Sequence, residues 1–345
     1  MTKEPTDTNN PSGVSRTGHG RFQVLALDGG GVRALFTAHV LARLEADLGV
    51  SVADSFDLIA GTSAGGIIGL GLGAGMRPAE IVEQYTEMTA RVFPRARQTR
   101  WRYLPRAWSP AYSGNVLRKA LGHVFGARLL GQSAKRLVIP SWDVQRGEVH
   151  IFKTPHHERL RRDWRISMVD VAMATTAAPT FFPAAAVDGQ RLIDGGVWAN
   201  NPSVVAIGEA VSMLGVPLGS VRVLNIGTVD QRTTHHKRLD AGGWATWAKV
   251  AAPLMITASG RGAQGTAMHL VGKENFARFD AMVPGDVFTL DRADPSALSG
   301  LAAGQSRVLS PSYIQMFADH VAPPYAPIHG PGSGQGTSTP PGGDS

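Results

Sequence analysis

From Phe22 onward, short β-rich apolar runs, glycine turns and longer helical patterns follow one another along the chain. That order is what a parallel sheet covered by helices requires, and it sets the fold class as α/β. Phe22–Leu27 reads as a first buried strand running into Asp28-Gly29-Gly30-Gly31, after which Ala34–Leu48 has helical apolar spacing. Phe56–Ala60 reads as a second strand. Its turn, Gly61-Thr62-Ser63-Ala64-Gly65, leads into a helix of small residues, and Pro78 at a first-turn position opens another helix through Arg91. Leu137–Ile139 and Val149–Lys153 read as strands. Ser167 with Asp170 resembles a capping box before Val171–Ala178, which Pro179 ends. Arg191–Ile193 reads as a short strand delivering Asp194, Asn201-Pro202 as an N-cap and first turn, and Val221–Ile226 as a strand. Helices are expected over Ala245–Ile256 and Ser312–His320, and no internal repeat is present.

At 345 residues, 43% hydrophobic and 18% charged, the chain suits one large soluble domain with a sizeable core. The expected boundaries are a disordered polar segment over 1–20, the domain over 21–321, and a disordered Pro/Gly/Ser/Thr-rich tail over 322–345. With no cysteine there is no disulfide framework, thiolate zinc site or cysteine nucleophile. The amino-terminal residues have no apolar core flanked by basic residues, so no secretory signal is read and the cytoplasm is the expected location. Leu58–Met76 is the one long uncharged stretch, with Gly61, Gly65, Gly69 and Gly73 at the spacing of a membrane-helix contact face. Its seven glycines, with Thr62 and Ser63, make insertion weak, and a close helix-to-sheet contact explains the spacing equally well. The net charge of +7 favours acidic partners such as anionic lipid headgroups or nucleotides.

Three glycine-rich elements carry chemistry. Gly61-Thr62-Ser63-Ala64-Gly65 matches the G-x-S-x-G nucleophile elbow, in which small neighbours permit a tight strand-to-helix turn that exposes a serine hydroxyl. The pentapeptide recurs by chance; the strand before it and the helix after it give it weight. Asp28-Gly29-Gly30-Gly31-Val32-Arg33 also lies between strand and helix, so amides without Cβ obstruction can face an anion. Gly29, Gly31 and Ala34 also fit a dinucleotide fingerprint, but the ribose-binding acid should end a second strand about twenty residues on. Glu45 and Asp47 fall inside the helical pattern instead, and the Gly-Lys-Ser/Thr ending of a phosphate-binding P-loop is absent. Ile193-Asp194-Gly195-Gly196 places a carboxylate at a strand end, although Asp-Gly-Gly is also a common turn.

In this order the three elements resemble the patatin-like phospholipases, over roughly Phe22 to Thr228. The linking runs Ala177-Ala178-Pro179-Thr180-Phe181-Phe182-Pro183 and Asp194-Gly195-Gly196-Val197-Trp198-Ala199-Asn200-Asn201-Pro202 are similar too. The resemblance implies a three-layer α/β/α domain with a central mostly parallel sheet, and hydrolysis of fatty-acyl esters of membrane phospholipids. It implies Ser63 as nucleophile, Asp194 as its only protein base, and the N–H groups of Gly29, Gly30 and Gly31 as oxyanion hole. Asp28, Gly61, Gly65, Gly195 and Gly196 then support the motifs, and Arg33 holds the glycine loop. No metal or cofactor is needed for this chemistry.

A narrower resemblance runs from Leu137-Val138-Ile139-Pro140 through Phe152-Lys153-Thr154-Pro155-His156-His157 to Arg161-Arg162-Asp163-Trp164. It is similar to bacterial patatin-like effectors of cyclic-oligonucleotide anti-phage signalling (CBASS), and implies activation by a cyclic dinucleotide such as cGAMP. The partners implied are membrane phospholipids and that nucleotide, with peripheral membrane association in the active state. No DNA or RNA polymer is expected, and oligomeric state is left open. Arg91, Arg95, Arg97, Arg100, Arg102 and Arg106 interleave with Phe93, Trp101, Tyr103 and Trp108, a mixture suited to an anionic membrane surface or to stacked nucleotides, and equally to a solvated basic face.

Other readings remain. A Ser-Asp-His triad is permitted by chain order through His235, His236, His269 or His320, none of which sits in a motif. A constitutive lipid acyl hydrolase needs no activator. A non-catalytic lipid- or nucleotide-binding regulator would be expected to have lost Ser63, Asp194 or a loop glycine, and all are present. His156-His157 with Glu158 lacks a spaced third ligand for a metal.

Overall fold

The computed structural model describes residues 20–94, 109–231, 240, 242–243, 247, 251–283 and 289–330. In chain order the elements begin with β1 (Phe22–Leu27), α1 (Leu35–Leu48), β2 (Leu58–Gly61), α2 (Ala64–Gly73), α3 (Pro78–Val92) and α4 (Gly114–Phe125). There follow β3 (Arg136–Asp143), β4 (Glu148–Lys153), α5 (Met168–Thr175), β5 (Ala185–Val187), β6 (Gln190–Asp194), α6 (Gly196–Ala199) and α7 (Ser203–Ser212). The chain continues through β7 (Val221–Ile226), β8 (Asp230–Gln231), α8 (Ala251–Val271), β9 (Phe276–Phe279), β10 (Met282–Val283) and α9 (Pro295–Met316).

The main sheet has the order β5-β6-β3-β2-β1-β7-β9, with β4 on the other side of β3. Strands β3, β2, β1, β7 and β9 run parallel, while β4, β5 and β6 are antiparallel to their neighbours. Because strand side chains alternate between faces, the buried strands supply two cores. Leu25, Leu27, Ile59, Leu137, Ile139, Leu224 and Ile226 pack with apolar residues of α1 to α5 and α9. Val24, Ala26, Leu58, Ala60, Val138, Val221 and Val223 pack against Ala206, Ile207 and Ala210 of α7 and Ala267 and Val271 of α8. Helices thus cover both faces, giving the three layers expected.

One detail of this topology positions the site. β4 occupies one edge of β3 from Val138 to Asp143. β2, paired at Arg136 to Val138, and β6, paired at Ser141 to Asp143, must therefore share the opposite edge. They run toward each other along it, since β2 is parallel to β3 and β6 is antiparallel. The residues leaving β2 and the last residue of β6, Asp194, consequently meet end to end.

The glycine spacing over Leu58–Met76 belongs to β2, its turn and α2, where Gly66, Gly69 and Gly73 bring the helix against Ile139, Ile59 and Leu137. Among the described residues no helix is long and apolar enough to cross a membrane. Three expectations need revision. The helix expected over Val171–Ala178 spans Met168–Thr175, because Ser167 caps it by accepting the Asp170 N–H. The helix expected over Ser312–His320 is only the last turn of the 22-residue α9, which ends at Met316 and whose earlier turns carry Gly300, Gly304 and serines that blur the apolar period. The tail expected to be disordered from Ala322 instead lies on the domain through Gly330. The Ala322 N–H donates to the Asp54 carbonyl, the Ile328 N–H to the Pro155 carbonyl, and the Arg136 guanidinium sits 5.3 Å from the Tyr325 ring centroid. Residues 1–19 and 331–345, and the start of the helix expected over Ala245–Ile256, lie outside the described residues.

Candidate active site

Between β2 and α2 the chain turns from strand to helix at Thr62 and Ser63. Ser63 sits at the corner with φ 54° and ψ −122°, a conformation that a residue bearing Cβ holds only when its surroundings enforce it. The enforcement is a ring of hydrogen bonds. The Thr62 N–H donates to the Leu27 carbonyl at 3.1 Å and the Thr62 hydroxyl to the Ala199 carbonyl at 2.6 Å. The Ser63 N–H donates to the Thr175 hydroxyl oxygen at 2.9 Å, which itself donates to the Pro140 carbonyl at 2.7 Å. Gly65 lets α2 start against β1, since a Cβ there would lie 2.4 Å from the Leu27 oxygen; Gly61 lies against the Gly65 carbonyl.

The Ser63 hydroxyl donates to Asp194 Oδ2 at 2.6 Å. Asp194 is oriented by its own N–H, which donates to the Ala177 carbonyl at 3.1 Å, and by the Gly196 N–H, which donates to Oδ1 at 2.7 Å. Gly195 packs on the Pro140 carbonyl. Ser63 and Asp194 are 9% and 6% exposed. Burial pushes the Asp194 carboxyl up to about 6, against the pull of the hydrogen bonds from Ser63 and Gly196. A desolvated carboxylate in direct contact with a hydroxyl on a strained turn is an arrangement that can take the hydroxyl proton near neutral pH.

The Asp28–Arg33 loop follows β1, the parallel neighbour of β2, and so opens at the carboxyl ends of the strands beside Ser63. The expectation that all three glycine amides face an anion is narrowed. The Gly29 N–H donates to the Asn200 carbonyl at 2.9 Å, so its proton is already used. Gly29 contributes space instead, because a Cβ there would lie 2.5 Å from Asn200 Oδ1 and 3.3 Å from Ser63 Cβ. Among the described residues no acceptor pairs with the Gly30 or Gly31 N–H. Arg33 donates to the Gly30 carbonyl at 3.3 Å and to the Val229 carbonyl at 3.0 Å. The Tyr85 hydroxyl donates to the Gly31 carbonyl at 2.8 Å. Asp28 is buried and pairs with Asn225 and Arg278.

Among the described residues no imidazole stands between Ser63 and Asp194, which bond directly. His320 pairs with Asp57 at 2.8 Å, before β2 and so at the end of that strand away from Ser63. His269 is exposed and bonds the Gly265 carbonyl of its own helix; His235 and His236 lie outside the described residues. His156 is buried between Thr154 and Glu209, a structural place. Of the basic aromatic segment, Arg91 pairs with Glu87 and Phe93 packs against Tyr112 and Phe182. Arg95 to Trp108 lie outside the described residues.

Sequence reasoning passed over Thr175, Asn200, Asn225 and Arg278. Asn200 stands in the run quoted after Asp194 but had no assigned part. Arg278 lies in a four-residue strand after Gly227, where hydrophobic periodicity is too short to read.

A family model described as patatin-like phospholipase matches residues 25–207, more than half of the chain. A cGAMP-activated phospholipase of Pseudomonas aeruginosa is 36% identical over 332 residues, covering 91% of this chain and 97% of that relative. One of the same name from Vibrio cholerae is 32% identical, covering 82% and 89%. Patatin-like protein 1 of Arabidopsis thaliana is 30% identical, covering 92% and 87%. With a serine on a strand-to-helix turn, a carboxylate in contact with it and a glycine loop beside both, the chain belongs to the patatin-like phospholipase family.

Proposed function

We propose that this chain is a serine acyl hydrolase that releases fatty acid from membrane phospholipids, with Ser63 as nucleophile and Asp194 as base. The observation that carries the reading is the 2.6 Å hydrogen bond from Ser63 Oγ to Asp194 Oδ2. As Oγ attacks the ester carbonyl, Asp194 accepts its proton, and the N–H groups of Gly30 and Gly31 hold the tetrahedral oxyanion. The protonated Asp194 then gives that proton to the departing alcohol as the ester C–O bond breaks. In the second step Asp194 takes a proton from water, which attacks the acyl-serine, and returns it to Ser63 Oγ as the acyl–Oγ bond breaks and the acid is freed. One domain performs the reaction, running from residue 21 and extended to Gly330 by the strap that lies on it, and it acts at the membrane surface from the cytoplasm.

A base can act only when ionised, and burial holds Asp194 at about 6. The rate of phospholipid hydrolysis is therefore expected to rise about tenfold per pH unit below that value and to level off above it. A pH profile of kcat/KM that is flat from pH 4.5 to 8 would contradict the assignment.

The proposal includes regulation: a cyclic dinucleotide, cGAMP among them, switches the activity on in anti-phage defence. It is supported by similarity to the relatives of that name, in the Pseudomonas case along 97% of its length, and the +7 net charge suits an anionic activator. Fatty-acid release from phospholipid vesicles is expected to be near background alone and to rise at least tenfold with cGAMP, while Ser63→Ala stays silent in both. High release without nucleotide, unchanged by its addition, would favour a constitutive hydrolase.

A further inference from the structure

A set of buried polar side chains that the reaction does not use converges beneath the glycine loop. Asp28, which follows β1, is 4% exposed. Its Oδ1 accepts from Asn225 Nδ2 at 2.7 Å and its Oδ2 from Arg278 Nη1 at 2.8 Å. Arg278 also donates to Asn225 Oδ1, and through Nη2 to Asp280 Oδ2 at 2.7 Å. Ala26, Asn225 and Arg278 share one rung across β1, β7 and β9, so the guanidinium reaches Asp28 from two strands away. Asn225 is tied in turn to the segment after β6. It accepts from Asn201 Nδ2 at 2.9 Å, and Asn201 adjoins Asn200, whose carbonyl takes the Gly29 N–H. The network therefore joins the loop bearing Gly30 and Gly31 to the segment that follows Asp194.

We propose that Arg278 is a positioning residue for the hydrolysis: by pairing with Asp28 it fixes the Gly30–Gly31 loop against Ser63 and neutralises a buried carboxylate that would otherwise oppose the oxyanion. The inference rests on the Ser63–Asp194 reading. Its physical basis is that a buried ion pair is costly to break by removing one partner, because the other charge is left without compensation, and less costly to remove whole. Burial already pushes the Asp28 carboxyl up to about 6, with Arg278 and Asn225 pulling it back and Asp280 raising it further. Loss of the guanidinium would drive it higher. Oxyanion donors displaced by a fraction of an ångström lose rate at the chemical step rather than in substrate binding.

The test compares the wild type with Arg278→Met, Asp28→Asn and the double variant on dihexanoyl phosphatidylcholine with cGAMP present, after active-site titration with a fluorophosphonate. Arg278→Met is expected to lower kcat about 100-fold with KM changed less than about threefold. The double variant should regain at least about tenfold of that loss. Arg278→Met should also show a falling limb of kcat at high pH, as the unpaired Asp28 ionises beside Asp280, and the double variant should lack it. A merely structural contribution would lower the melting temperature without creating that limb. If Arg278→Met does not fold, Asp28→Asn alone carries the test, with kcat expected to fall about tenfold at unchanged KM. Wild-type kcat in Arg278→Met, or a double variant no better than it, would overturn the inference; in the fallback, an Asp28→Asn kcat equal to wild type would do so. A wild-type chain silent under every condition would overturn the catalytic reading and this inference with it.

Discussion

Asp194→Asn should lower phospholipid hydrolysis by about 10⁴-fold while leaving the protein folded, the scale seen when the carboxylate of a serine-hydrolase site becomes an amide. An amide matches the carboxylate in shape; with its oxygen kept on the Gly196 N–H, its NH2 group faces the Ser63 hydroxyl oxygen and donates to it, so it cannot take the proton. Stability should move the other way. The Asp194 carboxyl is raised from the ordinary carboxylate value near 4 to about 6, because burial opposes its charge. Folding therefore favours the protonated form. The cost of holding the ionised form is absent below about pH 4, grows as pH rises, and is complete above about pH 6, where it amounts to about 3 kcal/mol. At pH 8 the melting temperature of Asp194→Asn should thus equal or exceed that of the wild type. An active Asp194→Asn variant would transfer the base to another group; an inactive variant that has also lost its folding transition would leave the pH profile to decide the assignment.

Gly31→Ala is expected to cost about 10²- to 10³-fold in kcat, the effect of losing an oxyanion donor. Gly31 has φ +57°, and a Cβ on it would lie 2.1 Å from the Leu290 carbonyl oxygen. The chain cannot accept that methyl group without moving the loop and breaking the Val32 N–H bond to Leu290 or the Tyr85 bond to the Gly31 carbonyl. Gly49→Ala is the matched control. That residue has φ +64°, but no atom lies near the place of its Cβ, and it caps α1 far along the chain from the site. It should lose about 1 kcal/mol of stability from the left-handed conformation and keep its activity. Equal kcat in wild type and Gly31→Ala would remove the glycine loop from the proposed mechanism.

The parts of the fold readable in the chain are those where one short stretch holds all the information. The sequence bounds β1 and β7 at Phe22–Leu27 and Val221–Ile226, as observed, because each is a mostly apolar run of six residues, the length of a strand and too short for a typical helix. The elbow at Gly61–Gly65 was readable for the same reason, its small residues being a local steric need. The order of helices weakened after Gly227. There α9 is interrupted by glycines and by Pro311, and it is held by packing on α1 more than by its own pattern.

Local composition also misjudged the strap after Ala322. Pro, Gly and Tyr carry little periodicity, yet Tyr325 lies against Arg136 and Gly330 against the Trp164 ring. A segment without an apolar face of its own can be ordered by what it lies on.

By itself the sequence determined the parts of the site: a serine between small residues, a carboxylate at a strand end, a glycine loop opening a helix. These are local requirements, written wherever the backbone must turn sharply. Tertiary structure alone decided that β2 and β6 share one edge of β3 and bring Ser63 to Asp194 across 131 positions of chain. It alone decided that the Gly29 amide is spent on Asn200, and that Asp28 finds its counter-charge 250 residues away in Arg278. Each of these depends on strand order, and strand order follows from how all the apolar faces are buried together, a sum over the whole chain that no single stretch contains.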